Sequence, residues 1–164
     1  MKRVLMILTI GLLILTGCKA NTSEDDADGK ESVIQTQEDR EKEGKETVAM
    51  KMKIGTTSVE VIWEENEAVE ALKELVKENP VVIQMSMYGG FEQVGSLGYS
   101  LPRNDVQTVT EAGDIVLYSG NQIVVFYGSN SWSYTRLGKI IGKNREELEQ
   151  LLGQRDVEIL ISME

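Results

Sequence analysis

Between Glu111 and Ile140 the chain reads EAGDIVLYSGNQIVVFYGSNSWSYTRLGKI, and this stretch constrains the fold more than any other. Two dense apolar runs, Ile115 to Tyr118 and Ile123 to Tyr127, flank Gly120-Asn121. A short Gly-Asn connection between β-branched and aromatic runs is a hairpin signal. Behind it, Ser131 to Arg136 alternates Trp132, Tyr134 and Arg136 with Ser131, Ser133 and Thr135. On a strand, alternate residues share a face, so one face carries two rings and a guanidinium. That face is the best binding surface the sequence offers.

The pieces around this core hairpin fall into strands and two helices. Val48, Met50, Met52 and Ile54 alternate with Thr47, Ala49, Lys51 and Lys53, which predicts a strand with one wet face. Gly55-Thr56 turns it, and Val59, Val61 and Trp63 continue the alternation. Asn66 is placed to cap a helix on which Ala68, Leu72, Leu75 and Val76 form one stripe, with Asn79-Pro80 as its stop. Val81, Ile83, Met85 and Met87 alternate again, up to a Gly89-Gly90 turn. From Phe91 to Thr110 the pattern weakens, with Gly95, Gly98 and Pro102 interrupting short apolar pieces. Asn144 followed by Glu147 gives a capping-box start to a short helix carrying Leu148, Leu151 and Leu152, and Gly153 ends it. Val157, Ile159 and Ile161 make a closing strand. A mainly β domain of this length with two amphipathic helices suits a small closed barrel capped by helices.

Two segments join a backbone-special glycine to fixed polar neighbours: Glu111-Ala112-Gly113-Asp114, and Ser133-Tyr134-Thr135-Arg136-Leu137-Gly138. With the Met-rich opening hairpin, the helix opened by Asn-Glu-Ala, the Pro-containing loop and the Gly-Asn hairpin, their order resembles the compact bacterial and archaeal cyclophilin-like family over Thr47 to Glu164. The resemblance implies a barrel of the cyclophilin type. It also implies a possible activity, peptidyl-prolyl cis-trans isomerisation, in which catalytic cyclophilins lodge proline in an apolar pocket while an arginine contacts the substrate backbone. The work is mostly desolvation and electrostatic stabilisation of a twisted amide, over a barrier of ~18–20 kcal/mol. This chain departs from that pattern: its only phenylalanines are Phe91 and Phe126, it has no histidine to match the pocket histidine of that class, and Arg136 is the arginine that would serve if the activity is present.

The amino terminus bears on location. Lys2 and Arg3 precede an apolar run from Val4 to Leu15, and Leu15-Thr16-Gly17-Cys18 matches a lipobox. That is the site cut before the cysteine by lipoprotein signal peptidase. The run is short for a span of ~20 residues, so residues 1–17 read as a cleaved signal and Cys18 as the lipidated first residue. Several acyl chains at ~0.8 kcal/mol per buried CH₂ exceed what stable anchoring needs. From Lys19 to Glu46 there are ten acidic residues against five basic ones, with only Val33 and Ile34 as larger aliphatics. Residues 18–46 therefore read as a flexible acidic tether of ~30 Å reach. It would hold a domain over 47–164 off the outer face of a cell membrane.

Charge and composition exclude much chemistry. All 27 acidic residues follow the signal, which holds two of the 17 basic ones, leaving 15 basic against 27 acidic. Such a chain is repelled by nucleic acid and by anionic lipid, so the lipid on Cys18 is the expected membrane contact. The absence of histidine removes Ser-His-Asp sites, His-based metal sites and the commonest general base. Cys18, the single cysteine, allows no internal disulfide. The pairs Met50 with Met52 and Met85 with Met87 have the spacing of a copper(I) thioether site and equally that of a Met-filled core; no histidine or cysteine completes the former. No cofactor or metal is expected.

Three readings follow. The first is a lipid-anchored binding module whose groove, near Tyr99, Phe126, Trp132, Tyr134 and Arg136, holds a peptide or small ligand without chemistry. The second is an extracytoplasmic isomerase acting on exported chains through Arg136 and Phe126, which rests on the resemblance. The third is an accessory lipoprotein recognising a protein partner. Arg136 has a structural alternative, pairing with a barrel carboxylate such as Asp114, and Arg103 in the Pro-containing loop is a second exposed arginine.

Overall fold

The computed structural model describes residues 48–164; the expected signal, Cys18 and the expected tether lie outside the described residues. The chain opens with β1 (Met50–Ile54) and β2 (Thr57–Trp63), then α1 (Glu67–Glu78), β3 (Val81–Tyr88), β4 (Glu92–Ser96) and β5 (Val106–Val109). It continues with β6 (Asp114–Tyr118), β7 (Gln122–Phe126), β8 (Ser131–Ile141), α2 (Arg145–Leu152) and β9 (Val157–Met163). The sheet runs β2-β1-β9-β3-β4-β7-β6-β8, and a further β2–β8 ladder closes it, so eight antiparallel strands form a barrel with β5 added to β8. This is the small closed barrel with two helices that the alternation implies.

Closure falls to β8. Its first four residues pair with β5, its middle with β6 and its last four with β2. Between Ile115 and Val116 the β6–β8 register jumps, leaving Leu137 as an extra residue, wholly buried in the barrel interior. The next residue is Gly138, opposite Trp63 on β2. A Cβ there would lie 2.6 Å from Ile62 O and 3.2 Å from Trp63 Cα. The glycine of the Arg-Leu-Gly motif is what lets the last seam shut.

The helices sit as the caps dictate. Asn66 Oδ1 accepts from Val69 N at 3.0 Å, and α1 buries Ala68, Val69, Leu72 and Val76. In α2, Asn144 Oδ1 accepts from Glu147 N while Glu147 Oε2 accepts from Asn144 N, a complete capping box. Met50, Met52 and Met85 fill the barrel core with Ile54, Ile83, Ile159 and Ile161, whereas Met87 is exposed at the end of β3.

Two sequence expectations need correcting. The β6–β7 turn is centred one residue earlier than Gly120-Asn121: Ser119 (φ 54°) and Gly120 (φ 80°) both take left-handed backbone, and Asn121 N donates to Tyr118 O. That pair of positive φ values matches the twist of the flanking strands. Second, the weak region from Phe91 to Thr110 contains β4, a full member of the barrel. Its inward positions are Gln93 and Gly95, so no apolar alternation marks it. Gln93 Nε2 donates to Leu152 O at 2.6 Å and Arg155 O at 2.8 Å. Gly95 lies between Met85 and Ile123, and a Cβ there would meet Met85 Sδ and lie 2.7 Å from Gln84 O.

Gly138→Val is expected to lower the unfolding free energy by about 1–3 kcal/mol, as overpacked sites do, by forcing β2 away from β8. Urea unfolding measures it, and an unchanged midpoint would remove this account of the closing seam.

Candidate functional site

Strands β6 and β7 are apolar on both faces. Ile115, Leu117, Ile123 and Val125 point into the barrel, while Val116, Val124, Phe126 and Tyr134 form a second, outer cluster with Phe91 and Val94. This explains why the two runs of the core hairpin are continuous rather than alternating. Tyr134 packs edge-on against Phe126 at 5.8 Å and against Tyr118 at 6.1 Å between ring centroids. Its hydroxyl accepts from Asn130 Nδ2 at 3.1 Å.

Over this outer cluster lies a cleft of about 410 Å³. Its rings are Tyr88, Tyr118, Trp132 and Tyr134, with Val94 and Val124 between them and Gln122 and Asn130 as neutral polar groups. Trp132 is 57% exposed. Among the described residues, the one charged group in the cleft is Glu92, in register with Tyr88 on one side and Phe126 on the other. It is only 5% exposed, and its Oε2 is buried with no hydrogen-bond partner among the described residues. Burial pushes its carboxyl from 4.5 up to about 7. Burial also raises the Tyr134 hydroxyl, and the Glu92 charge adds to that.

A second cleft of about 960 Å³ lies on the other side of Tyr134, between the start of α1, the loop from Pro102 to Asn104, β5 and residues 134–136 of β8. Arg136 belongs to this cleft, beside Arg103. Arg136 Nη1 is 3.4 Å from Asp114 Oδ2, and Asp114 is 1% exposed. The same oxygen accepts from Glu111 N at 3.0 Å. Lys139 Nζ sits 3.4 Å from the other oxygen, an ionic contact without hydrogen-bond geometry, and bonds Glu111 Oε2 at 3.0 Å. Glu-Ala-Gly-Asp and Thr-Arg-Leu-Gly-Lys are thus the two halves of one ion cluster pinning β6 to β8. Arg103 pairs with Asp105, whose other oxygen accepts from Thr135 Oγ1 at 2.7 Å.

Of the residues singled out from sequence, the structure brings Trp132 and Tyr134 together in the aromatic cleft and places Arg136 in the neighbouring one. Phe126 is wholly buried beneath Tyr134, so it supports that ring and offers no surface to a ligand. Tyr99, 58% exposed after the Gly98 turn, lines neither cleft. Sequence reasoning missed Glu92, Tyr88 and Tyr118. Tyr88 and Tyr118 end their strands, and Glu92 begins a strand without alternation, so only the cross-strand register brings them together. Among the described residues, no three acidic, histidine or cysteine side chains are grouped to hold a metal ion.

The sequence profile of the Cyclophilin-like family matches residues 52–164. The fold is similar to that in the structure of McbB in complex with tryptophan, with a TM-score of 0.52 and 12% identity, over 70% of this chain and 44% of that one. At this identity the likeness is one of fold, and the chain spans less than half the length of that protein. No curated protein matches the chain.

Because the Glu92 carboxyl is raised to about 7 in the folded state, the native protein holds a proton that the unfolded chain releases from about pH 4.5 upward. Its contribution to stability is therefore full below pH 4.5 and lost as pH rises through 7. Unfolding free energy should fall across this window by up to about 3 kcal/mol, and Glu92→Gln should remove that fall. Urea titrations at the two ends of the window check it; an equal slope in the variant would contradict the burial argument.

Proposed function

The chain belongs to the Cyclophilin-like family, and from that premise we propose that it is a lipid-anchored, extracytoplasmic binding module whose outer-face groove holds a peptide or small ligand without altering it. The observation that carries this reading is the aromatic cleft. Leaving Tyr88 and Trp132 in water forfeits roughly 1.5–3 kcal/mol for each large side chain that burial would have gained. A cluster of such rings around one concavity is a signature of binding. A volume of about 410 Å³ suits a small molecule or two to three residues of a peptide. McbB, which shares the fold, holds tryptophan in its structure.

The lining supports binding over catalysis. Among the described residues, Glu92 has no histidine, lysine, cysteine, serine or second carboxyl beside it in the cleft, and such partners are the usual ones in acid-base or covalent mechanisms. A second reading, peptidyl-prolyl isomerisation, is favoured by the family and by Arg136, whose half-exposed guanidinium stands next to Tyr134 in the larger cleft. Against it, that guanidinium already faces Asp114.

The anchor rests on Leu15-Thr16-Gly17-Cys18 and the apolar run before it. The acyl chains on Cys18 would carry the membrane affinity and the acidic tether would set the distance.

Exchange measurements on short X-Pro peptides should show no acceleration at high protein concentration. Acceleration that disappears in Arg136→Ala would replace binding by isomerisation as the function. A fluorescence screen of short peptides and aromatic small molecules should find ligands that shift Trp132 emission, and Trp132→Ala should weaken them at least about tenfold. In a producing cell, Cys18→Ala should abolish labelling by palmitate and release the protein from membranes; continued labelling would refute the anchor.

A further inference from the structure

Among the described residues, the aromatic cleft has one ionisable carboxyl and no basic group to balance it. We infer that the groove selects ligands carrying an ammonium or guanidinium group, which pairs with Glu92 while the ligand's apolar body lies on Trp132 and the neighbouring tyrosines. This rests on reading the cleft as the binding site and specifies what that site takes.

The geometry has three parts. Glu92 is nine-tenths buried at the cleft, and one of its carboxyl oxygens is wholly buried and unpartnered. A buried polar atom without a partner is costly, and a charged one more so. Around it stand Tyr88, Tyr118, Trp132 and Tyr134, whose ring faces attract cations. Among the described residues, no lysine or arginine lines the cleft, whereas the neighbouring cleft holds Arg103 and Arg136. An anion would find no cationic partner beside Glu92 and would be repelled by its ionised form. A neutral ligand would leave the carboxyl as it is. A cation would offset a carboxylate that has no counter-charge beside it and would lie on the rings.

The groups facing Glu92 do not compete for this role. They are Tyr88 from β3, Tyr118 from β6, Tyr127 at the end of β7 and Tyr134 from β8. Beyond them, Glu149 of α2 acts on Tyr127, and Asp156 bonds Ser86 and the Met87 N–H on β3. All are phenols or carboxylates, so none of them supplies a counter-charge to Glu92. Binding should draw Glu92 into its ionised form and release a proton at mildly acidic pH.

The test uses three probes of one shape on the full chain: phenethylamine, phenethyl alcohol and phenylacetate, with affinity read from tryptophan fluorescence and calorimetry. Phenethylamine should bind at least about tenfold more tightly than the alcohol, and phenylacetate more weakly than either. Between about pH 6 and pH 8 the affinity for the amine should rise about tenfold as Glu92 ionises, while that for the alcohol stays flat. Glu92→Gln, which keeps shape and removes charge, should bring the amine down to the level of the alcohol and abolish the pH dependence. If amine and alcohol bind alike in the native protein, or the acid binds best, the cation inference is overturned while the groove stands. If none of the three changes the fluorescence in a manner that Trp132→Phe removes, the groove itself is not the binding site and both readings fail.

Discussion

A sheet of eight short strands becomes a barrel only if its first and last members meet, and here that meeting depends on the backbone of β2 and β8 coming closer than any side chain on Gly138 would allow. Strand β8 is long because it serves three neighbours. Its inner half completes the barrel and its outer half projects past it to carry β5. The extra residue at Leu137 adjusts the two halves, turning an apolar side chain inward just before the seam. A bulge at such a position bends the strand and raises its twist, which is how a sheet turns a corner. The same strand therefore fixes the closed core and, through Trp132, Tyr134 and Arg136, the surface outside it.

Charge divides that surface in two. The larger cleft has arginines held by acidic partners, Arg136 on Asp114 and Arg103 on Asp105. The smaller has one acid and no base. Tyr134 is the wall between them, held on its hidden side by Phe126 and at its hydroxyl by Asn130. The Asp114 cluster shows why conspicuous motifs need a structural reading first: Glu111, Arg136 and Lys139 converge on one buried carboxylate and join two strands. By contrast, Glu92 has no motif around it and no partner in the fold, and it is the group whose surroundings ask for something else.

Sequence reached most of the barrel because most strands have one dry face. The alternation in β1, β3 and β9, the two-sided apolar runs of β6 and β7, and both helix caps are local signals, and each produced its element. Where the signal failed, the reason is specific. Strand β4 fills its interior positions with an amide that bonds the end of α2 and with a glycine that makes room for Met85. The turn between β6 and β7 moved by one residue because Ser119 accepts a backbone shape that usually goes to glycine or asparagine. Half of the aromatic cleft was legible, on β8, since two rings on one strand face can be read directly. The other half depends on which strands are neighbours, and no local pattern carries that.

Strand β5 has a different standing from the other eight. It is bound through a single ladder to the projecting half of β8, is four residues long and exposes Val106 and Val109. Elements with few buried contacts open at lower free energy than the core they are attached to. One flank of the larger cleft is thus its least secured wall, tied at its two ends by Asn104 N to Thr135 Oγ1 and by Thr110 N to Asn130 O, and its local opening would leave the closed ring intact.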